Sequence, residues 1–358
     1  MTCTQAETTL RTRAKHFLLL LVLSGAAAIA PAHTAGADAA PEVGAKTAPP
    51  DAPKDLKRLI GEYRSADAKL TIYEAGGQLR ADGLGLHQAS LQRLAATRFS
   101  AEAAPQPKTP VQFELGPDGH AASVTVGTSR LQFEDIGLEV VQQIRAGVKL
   151  NSGQLRAAAL AAKPPEEPTP KRSFDLVDLA SVDPTIKFDI RYASTNNFLG
   201  FPLYERAAAY LQRPAAVSLG RVERSLASKG YGLLIHDGYR PWFVTKMFWD
   251  ATPESAHVFV ADPSQGSRHN RGCAVDLTLY DLKSGNAVEM TGRYDEMSPR
   301  SYADYLGGTS RQRWLRELLR SEMQAQGFAV YAEEWWHFDY KDWSDYAIGT
   351  ATFTQLSK

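Results

Sequence analysis

Two stretches far apart in the chain carry residue types that can hold a divalent metal beside a base. Ser267-Arg268-His269 leads into Gly272-Cys273-Ala274-Val275-Asp276, and Glu334-Trp335-Trp336-His337 follows much later. Two imidazoles and a carboxylate, here His269, His337 and Asp276, can bind one zinc and leave a position open for water. Catalytic zinc sites favour that arrangement over the closed four-ligand shell of structural ones. A second carboxylate, Glu334, stands beside the last histidine. Together they predict a zinc hydrolase site with one ion per chain.

Such a site needs a strand that buries one face and offers the other to a cleft. After Gly272, Ala274, Asp276 and Thr278 share one face of an extended run, while Val275, Leu277 and Leu279 take the other. His269 precedes that strand on a loop. Upstream, Phe188 to Tyr192 reads as extended, and Asn197-Phe198-Leu199-Gly200 as a loop. Pro214 to Lys229 reads as a helix with Val217, Leu219, Val222 and Leu226 as buried contacts and Gly230 as its stop. The apolar strand Tyr231 to Ile235 ends at His236-Asp237-Gly238-Tyr239-Arg240-Pro241-Trp242. Downstream, Ser310 is the expected N-cap of a helix whose Trp314, Leu315, Leu318, Leu319 and Met323 fall near one face, closed by Gly327. Phe328 to Tyr331 is then the last long core strand, delivering Glu334 and His337 to the cleft. The pattern predicts a mixed α+β fold with a mainly antiparallel sheet and flanking helices.

Residues 56–150 read as a separate small β-rich domain. Leu70-Thr71-Ile72-Tyr73, Gln78-Leu79-Arg80, Val111 to Leu115, Ser123 to Val126 and Leu131-Gln132-Phe133 are short alternating runs between Gly- and Asp-containing turns. A meander or half-barrel follows, with no metal or triad spacing in it, as an accessory for packing or substrate positioning. The Pro-rich stretch Lys163 to Pro170 sets a linker at 151–172, and the zinc domain occupies 173–358.

The chain opens with Arg11, Arg13 and Lys15, then Phe17 to Leu23, then small residues, with cleavage sites at Ala30-Pro31-Ala32 and Ala35-Gly36-Ala37. These are the three parts of a secretory signal over residues 1–37. The apolar run falls short of the about 20 residues a spanning helix needs, so no membrane span remains after removal. Residues 38–55, rich in Ala, Pro and Lys, form a disordered linker. The expected location is the periplasm or the outside of the cell. Export would remove Cys3 and leave Cys273 alone, a small packed thiol with no disulfide partner.

The 358 residues, 44% hydrophobic and 22% charged, can bury a core in each of two domains. A formal net charge of zero argues against a polyanionic partner, so nucleic acid is excluded as a substrate.

From about Asp189 onward the residues closely resemble the D-alanyl-D-alanine dipeptidases of the VanX type, relatives of the D-Ala-D-Ala carboxypeptidases and of the zinc fold of hedgehog domains. Ser267-x-His269-x-x-Gly272-x-Ala274-x-Asp276 and Glu334-Trp335-Trp336-His337 carry the resemblance, supported by Asp237-Gly238-Tyr239-Arg240-Pro241 and Asn197-Phe198. The resemblance implies that His269, Asp276 and His337 ligate Zn2+, that Glu334 is the catalytic base and that Arg240 faces the developing oxyanion. It also implies that Ser267, Asp295, Tyr192, Asn197 and Phe198 contact substrate, Asp295 taking its free amino group. Trp335 and Trp336 would pack the floor. Arg268 and Cys273 take no role, Glu333 points elsewhere, and His87, His236 and His257 are structural.

The expected reaction is hydrolysis of D-Ala-D-Ala or a related D,D-dipeptide. One alternative is a carboxypeptidase or endopeptidase acting on the stem peptides of peptidoglycan. Another is a non-catalytic zinc-containing binding protein, against which the base and the arginine both argue.

Overall fold

The computed structural model describes residues 47–102, 108–167, 169 and 171–356. The expected signal at 1–37 and half of the linker at 38–55 lie outside them. The end of that linker is packed: the Pro49 carbonyl accepts a hydrogen bond from Arg311, and Ala52 is buried.

After the short helix α1 (Lys54–Lys57), eight strands follow in sequence: β1 (Gly61–Arg64), β2 (Lys69–Ala75), β3 (Gln78–Gly83), β4 (Leu86–Arg93), β5 (Arg98–Glu102), β6 (Thr109–Leu115), β7 (Ala121–Val126) and β8 (Ser129–Glu134). Each pairs antiparallel with the next, and β1 pairs with β8, so the expected meander or half-barrel is a closed barrel. Eight strands leave an interior that side chains alone can fill. Here Tyr63, Ile72, Leu79, Phe99, Phe113 and Leu131 fill it, with Phe113 meeting Tyr63 and Phe99 edge-on at 6.1 and 5.7 Å. Three strands escape a hydrophobic pattern search. β4 and β5 bury Leu86, Leu91 and Phe99, but the small Ala89, Ser100 and Ala101 between and beside them blur the apolar face, and β1 buries only Tyr63.

Two helices then occupy ground read as β domain and linker, α2 (Leu138–Val148) and α3 (Ser152–Ala161). Ile144 and Val148, one turn apart, and Ala159 are buried in the core of the C-terminal half. Their apolar faces are too narrow to stand out beside the proline-rich composition that follows.

The C-terminal half starts with β9 (Leu176–Asp178) and the two-residue β10 (Lys187–Phe188); Arg191 and Tyr192, expected as extended, belong to a 3-10 turn over Arg191–Ala193. There follow β11 (Tyr210–Gln212), paired with β9, then helix α4 (Arg213–Ala227), β12 (Tyr231–Asp237), helix α5 (Trp242–Ala251), β13 (Ala274–Asp281), helix α6 (Ser310–Ala325), β14 (Phe328–Tyr331) and β15 (Glu334–Tyr340). The main sheet runs β10-β12-β13-β15-β14, antiparallel except for the β10–β12 pair. It is the expected mixed α+β fold.

In α4, Leu219, Val222 and Leu226 are buried as expected, but Val217 faces solvent. It lies two residues from Leu219, about 200° around the helix. Helix α6 is capped one residue earlier than expected: the Thr309 side chain accepts from the Gln312 amide, and the Gln312 side chain accepts from the Thr309 amide. Strand β14 is a short edge strand rather than the last long core strand. The chain turns back at Ala332 and Glu333, and β15, interior to the sheet, carries Glu334 and His337 itself.

The barrel is joined to α6 through Glu74. Its buried carboxylate accepts from the Ser310 amide (2.8 Å), the Ser310 hydroxyl (3.2 Å) and the Gly77 amide (2.6 Å). The Glu74 amide donates to Gly308 (3.0 Å), and Arg313 donates to the Glu74 carbonyl (2.7 Å).

Candidate active site

Strand register builds the site. β13 and β15 pair with Asp276 opposite His337, and β12 ends with Asp237 opposite Asp276 after a bulge that follows Ile235. His269 opens a single 3-10 turn that Gly272 closes at φ +67°; a Cβ there would lie 2.5 Å from Leu176, so a larger residue could not feed the chain into β13. Asn270, fully buried, pins the turn. Its amide group donates to the Arg240 carbonyl and the Thr245 hydroxyl, and its oxygen accepts from the Ser267 amide.

The result is a triangle of ligand atoms. His269 Nε2, His337 Nδ1 and Asp276 Oδ1 stand 3.1, 3.1 and 3.2 Å apart, all three residues buried. Atoms about 2 Å from one zinc ion stand a little over 3 Å from each other. The tautomers agree. His269 Nδ1 faces the Gly238 carbonyl at 2.7 Å and His337 Nε2 faces Asp339 at 2.9 Å, so each of those nitrogens carries the hydrogen and the other turns a lone pair inward. Three electron-pair donors facing one another repel, and a positive charge at their centre reverses that. Burial alone would lower the His337 pKa, but Asp339 and the hydrogen bonds to Asp276 and Asp339 outweigh it and lift it to about 10, so a proton and a divalent cation compete for Nδ1. A divalent cation with nitrogen and oxygen ligands fits this donor set.

Asp276 is steadied by its second oxygen, which accepts from Tyr294 (3.0 Å) and Arg240 (3.4 Å). Arg240 also donates to Asp237 at 2.9 Å and lies over the Phe248 and Tyr192 rings at 4.6 and 5.2 Å, which fixes its guanidinium at the edge of the cleft. Glu334 lies beside the triangle, an oxygen 3.7 Å from His337 Nδ1. Burial, aided by Asp276 and Asp295 and opposed by His337 and Arg240, pushes its pKa up to about 8. That suits a group asked to take and return a proton near neutral pH.

A small cleft lies over these groups, lined by Tyr192, Phe198, Arg240, Ser267, Asp295 and Glu334 among others. Asp295 adopts φ +59° and accepts a hydrogen bond from Tyr192 at 2.8 Å on one oxygen; the other is buried and meets no donor among the described residues. Burial and the nearby Asp276 lift its pKa to about 7. Ser267 accepts from the His269 amide at 3.2 Å. Asn197 is different. Its side chain bonds the Ser194 and Phe201 carbonyls and the Leu199 and Gly200 amides, so it shapes its own loop and lines the neighbouring cavity instead of the cleft.

Cys273 is fully buried and its thiol pKa is raised by burial, as a packed thiol requires. Trp335 and Trp336 are both buried, but as strand neighbours they face opposite ways: Trp336 lines the cleft, as expected of a floor residue, and Trp335 lines the neighbouring cavity. Two contributors went unread in the sequence. Asp339 had a signal, two residues past His337 and so on the same face of a strand. Tyr294, beside Asp295 in a loop, had none.

His236 is buried against the Tyr294 ring at 4.6 Å and the Asp189 carbonyl at 3.2 Å. Burial, with Arg191 nearby, lowers its pKa to about 4. The unfolded chain takes this proton near pH 6.5 and the folded chain only near 4. Stability is therefore present above 6.5 and falls through that window, by roughly 3 kcal/mol at most. Urea unfolding of the protein and of His236→Gln at pH 7 and pH 4.5 checks this. Parallel losses in the two proteins would remove His236 as the cause.

The family model for peptidase M15, D-ala-D-ala dipeptidase, matches residues 172–354. The chain is 34% identical over 174 residues to a D-alanyl-D-alanine dipeptidase of Escherichia coli (strain K12), an alignment spanning 49% of this chain and 89% of that protein. With the D-alanyl-D-alanine dipeptidase of Enterococcus faecium the identity is 35% over 178 residues, 44% of this chain and 87% of the relative. With that of Streptomyces coelicolor (strain ATCC BAA-471 / A3(2) / M145) it is 36% over 186 residues, 46% and 92%. The chain belongs to the D-Ala-D-Ala dipeptidase family. It is thus a metallopeptidase-family enzyme, and the family match takes in the ligand triangle, Glu334, Arg240 and Asp295. The barrel, α2 and α3 lie outside the matched segment, so this dipeptidase-family chain carries an appended part that the family model does not describe.

Proposed function

We propose that the enzyme hydrolyses the peptide bond of D-Ala-D-Ala, or of a closely related D,D-dipeptide, at one zinc ion held by His269, Asp276 and His337. The observation that carries this reading is the triangle of inward-facing ligand atoms with the carboxylate of Glu334 beside it. Zinc, when bound, lowers the pKa of a water from 15.7 toward about 7 and polarises a carbonyl. Glu334 takes the proton released as water attacks and hands it to the departing amine. Arg240, cationic and held by Asp237 and Asp276, faces the negative charge that develops on the carbonyl oxygen. Asp295 offers its unpartnered oxygen to the substrate's ammonium group, which favours a free dipeptide over a longer stem peptide.

The test is release of D-alanine from D-Ala-D-Ala and from a stem pentapeptide, each with and without a chelator. Chelator-sensitive release from the dipeptide is expected. Release from the pentapeptide alone would replace the dipeptidase reading with a carboxypeptidase, and metal-independent silence on both would leave a binding protein.

Asp339 orients His337, and partners of that kind typically matter about 10- to 100-fold in metal affinity. Asp339→Asn is accordingly expected to weaken zinc binding by about that factor, measured by competition with a chromogenic chelator. An unchanged affinity would make the Asp339 contact incidental.

The basic, apolar and small-residue order at the N-terminus supports export to the periplasm or beyond. Cell fractionation with a cytoplasmic marker tests that directly; recovery with the marker would overturn it.

A further inference from the structure

We propose that Asp135, where the chain leaves the barrel, is a positioning residue for substrate recognition because it anchors the loop that presents Asp295. The inference rests on the assignment of Asp295 to the substrate's ammonium group.

Asp295 sits at φ +59°, a left-handed conformation that non-glycine residues adopt only when their surroundings hold them there. The hold is a knot around Glu296, which is buried. One oxygen of its carboxylate accepts from the Arg293 amide at 2.9 Å, and the other from the Ser298 hydroxyl at 2.6 Å and from Arg300 Nε. The Ser301 hydroxyl closes the loop on the Glu296 carbonyl. Both ends of the 293–301 segment are thus tied to Glu296, next to Asp295.

That knot is fastened to the barrel. Arg300 Nη2 donates to Asp135 at 2.9 Å and to the Ile136 carbonyl at 3.0 Å, and Arg293 donates to the other oxygen of Asp135 at 3.3 Å. Gly137 follows at φ +87°, where a Cβ would come within 3.0 Å of Glu296 and 3.2 Å of Ser298. Asp135 comes immediately after β8 and lies outside the segment matched by the family model. The pairs are charge-assisted, and two arginines on one carboxylate set direction as well as strength. Asp295 has one oxygen fixed by Tyr192, and only a fixed backbone keeps the other aimed at an ammonium group. Loosening the anchor costs affinity for that group more than it costs the chemical step, because binding must then order the loop.

Steady-state kinetics of the full-length enzyme, Asp135→Asn and Asp135→Glu on D-Ala-D-Ala provide the test, with N-acetyl-D-Ala-D-Ala, which has no ammonium, as comparison. Asp135→Asn is expected to raise KM for the free dipeptide about 10-fold with kcat within about twofold, and to leave turnover of the acetylated compound where it was. Asp135→Glu, which keeps the charge, is expected to recover most of the loss. Asp135 is partly exposed, with its side chain 34% accessible, so both variants should fold. An unchanged KM, or a matching fall in kcat on both compounds together with a lower melting temperature, would overturn the proposal. A wild-type enzyme that ignores the free amine, turning over both compounds equally, would overturn the Asp295 assignment itself, and it would do so before any variant is made.

Discussion

Glu334→Gln is expected to lower kcat on D-Ala-D-Ala by about 10³-fold, within the 10² to 10⁴ that a positioned general base contributes, while zinc content stays at one ion per chain. The substitution keeps the shape of the side chain and removes its capacity to take a proton. Glu334 lies 3.7 Å from His337 Nδ1, farther than the 3.1 to 3.2 Å sides of the ligand triangle. In the reading proposed above, that separation leaves Glu334 beside the metal as a base and outside the ligand set. Metal analysis of the purified variant next to its kinetics gives the answer. Loss of zinc together with activity would make Glu334 a ligand, and residual activity near wild type would hand the proton transfer to another group.

Glu74→Ala is expected to destabilise the enzyme by about 3 kcal/mol, because it strips charge-assisted hydrogen bonds from the buried amide and hydroxyl of Ser310. The carboxylate at 2% exposure serves Ser310 at the first turn of α6, where a negative charge also suits the helix dipole, and Gly77 in its own hairpin. Chemical unfolding followed by tryptophan fluorescence reads the loss, and kcat on the dipeptide at 25 °C should change less than threefold. A midpoint unchanged from wild type would mean that the barrel is tethered to the catalytic half without supporting it. Glu74→Gln, which retains an acceptor, should fall between the two.

Much of the site was legible because its parts are local. Gly272, Ala274 and Asp276 announce a turn into a strand, and Glu334 and His337 recur at a spacing that one strand can present. What the sequence hides is convergence by tertiary contact. Tyr294 steadies Asp276, and Asp295 depends on Glu296, Arg300 and Asp135, partners scattered over more than half of the folded chain with no shared period. Asn197 misled for a related reason: a side chain able to bind substrate has all its polar atoms occupied by its own loop. The barrel was half legible. Strands filled by Leu79 or Phe113 alternate visibly, whereas in β4 and β5 the small Ala89, Ser100 and Ala101 thin out the apolar pattern that Leu86, Leu91 and Phe99 begin.

Cys273 offers a use for its isolation. The thiol is sealed in the core one residue before β13, and its carbonyl accepts from the Tyr340 amide of β15 at 2.7 Å, so a maleimide can reach it only when those two strands part. In a form without Cys3, the rate of alkylation becomes a clock for how often the strands carrying Asp276 and His337 separate, and zinc, on the function proposed, should slow that clock in proportion to how tightly it holds them together.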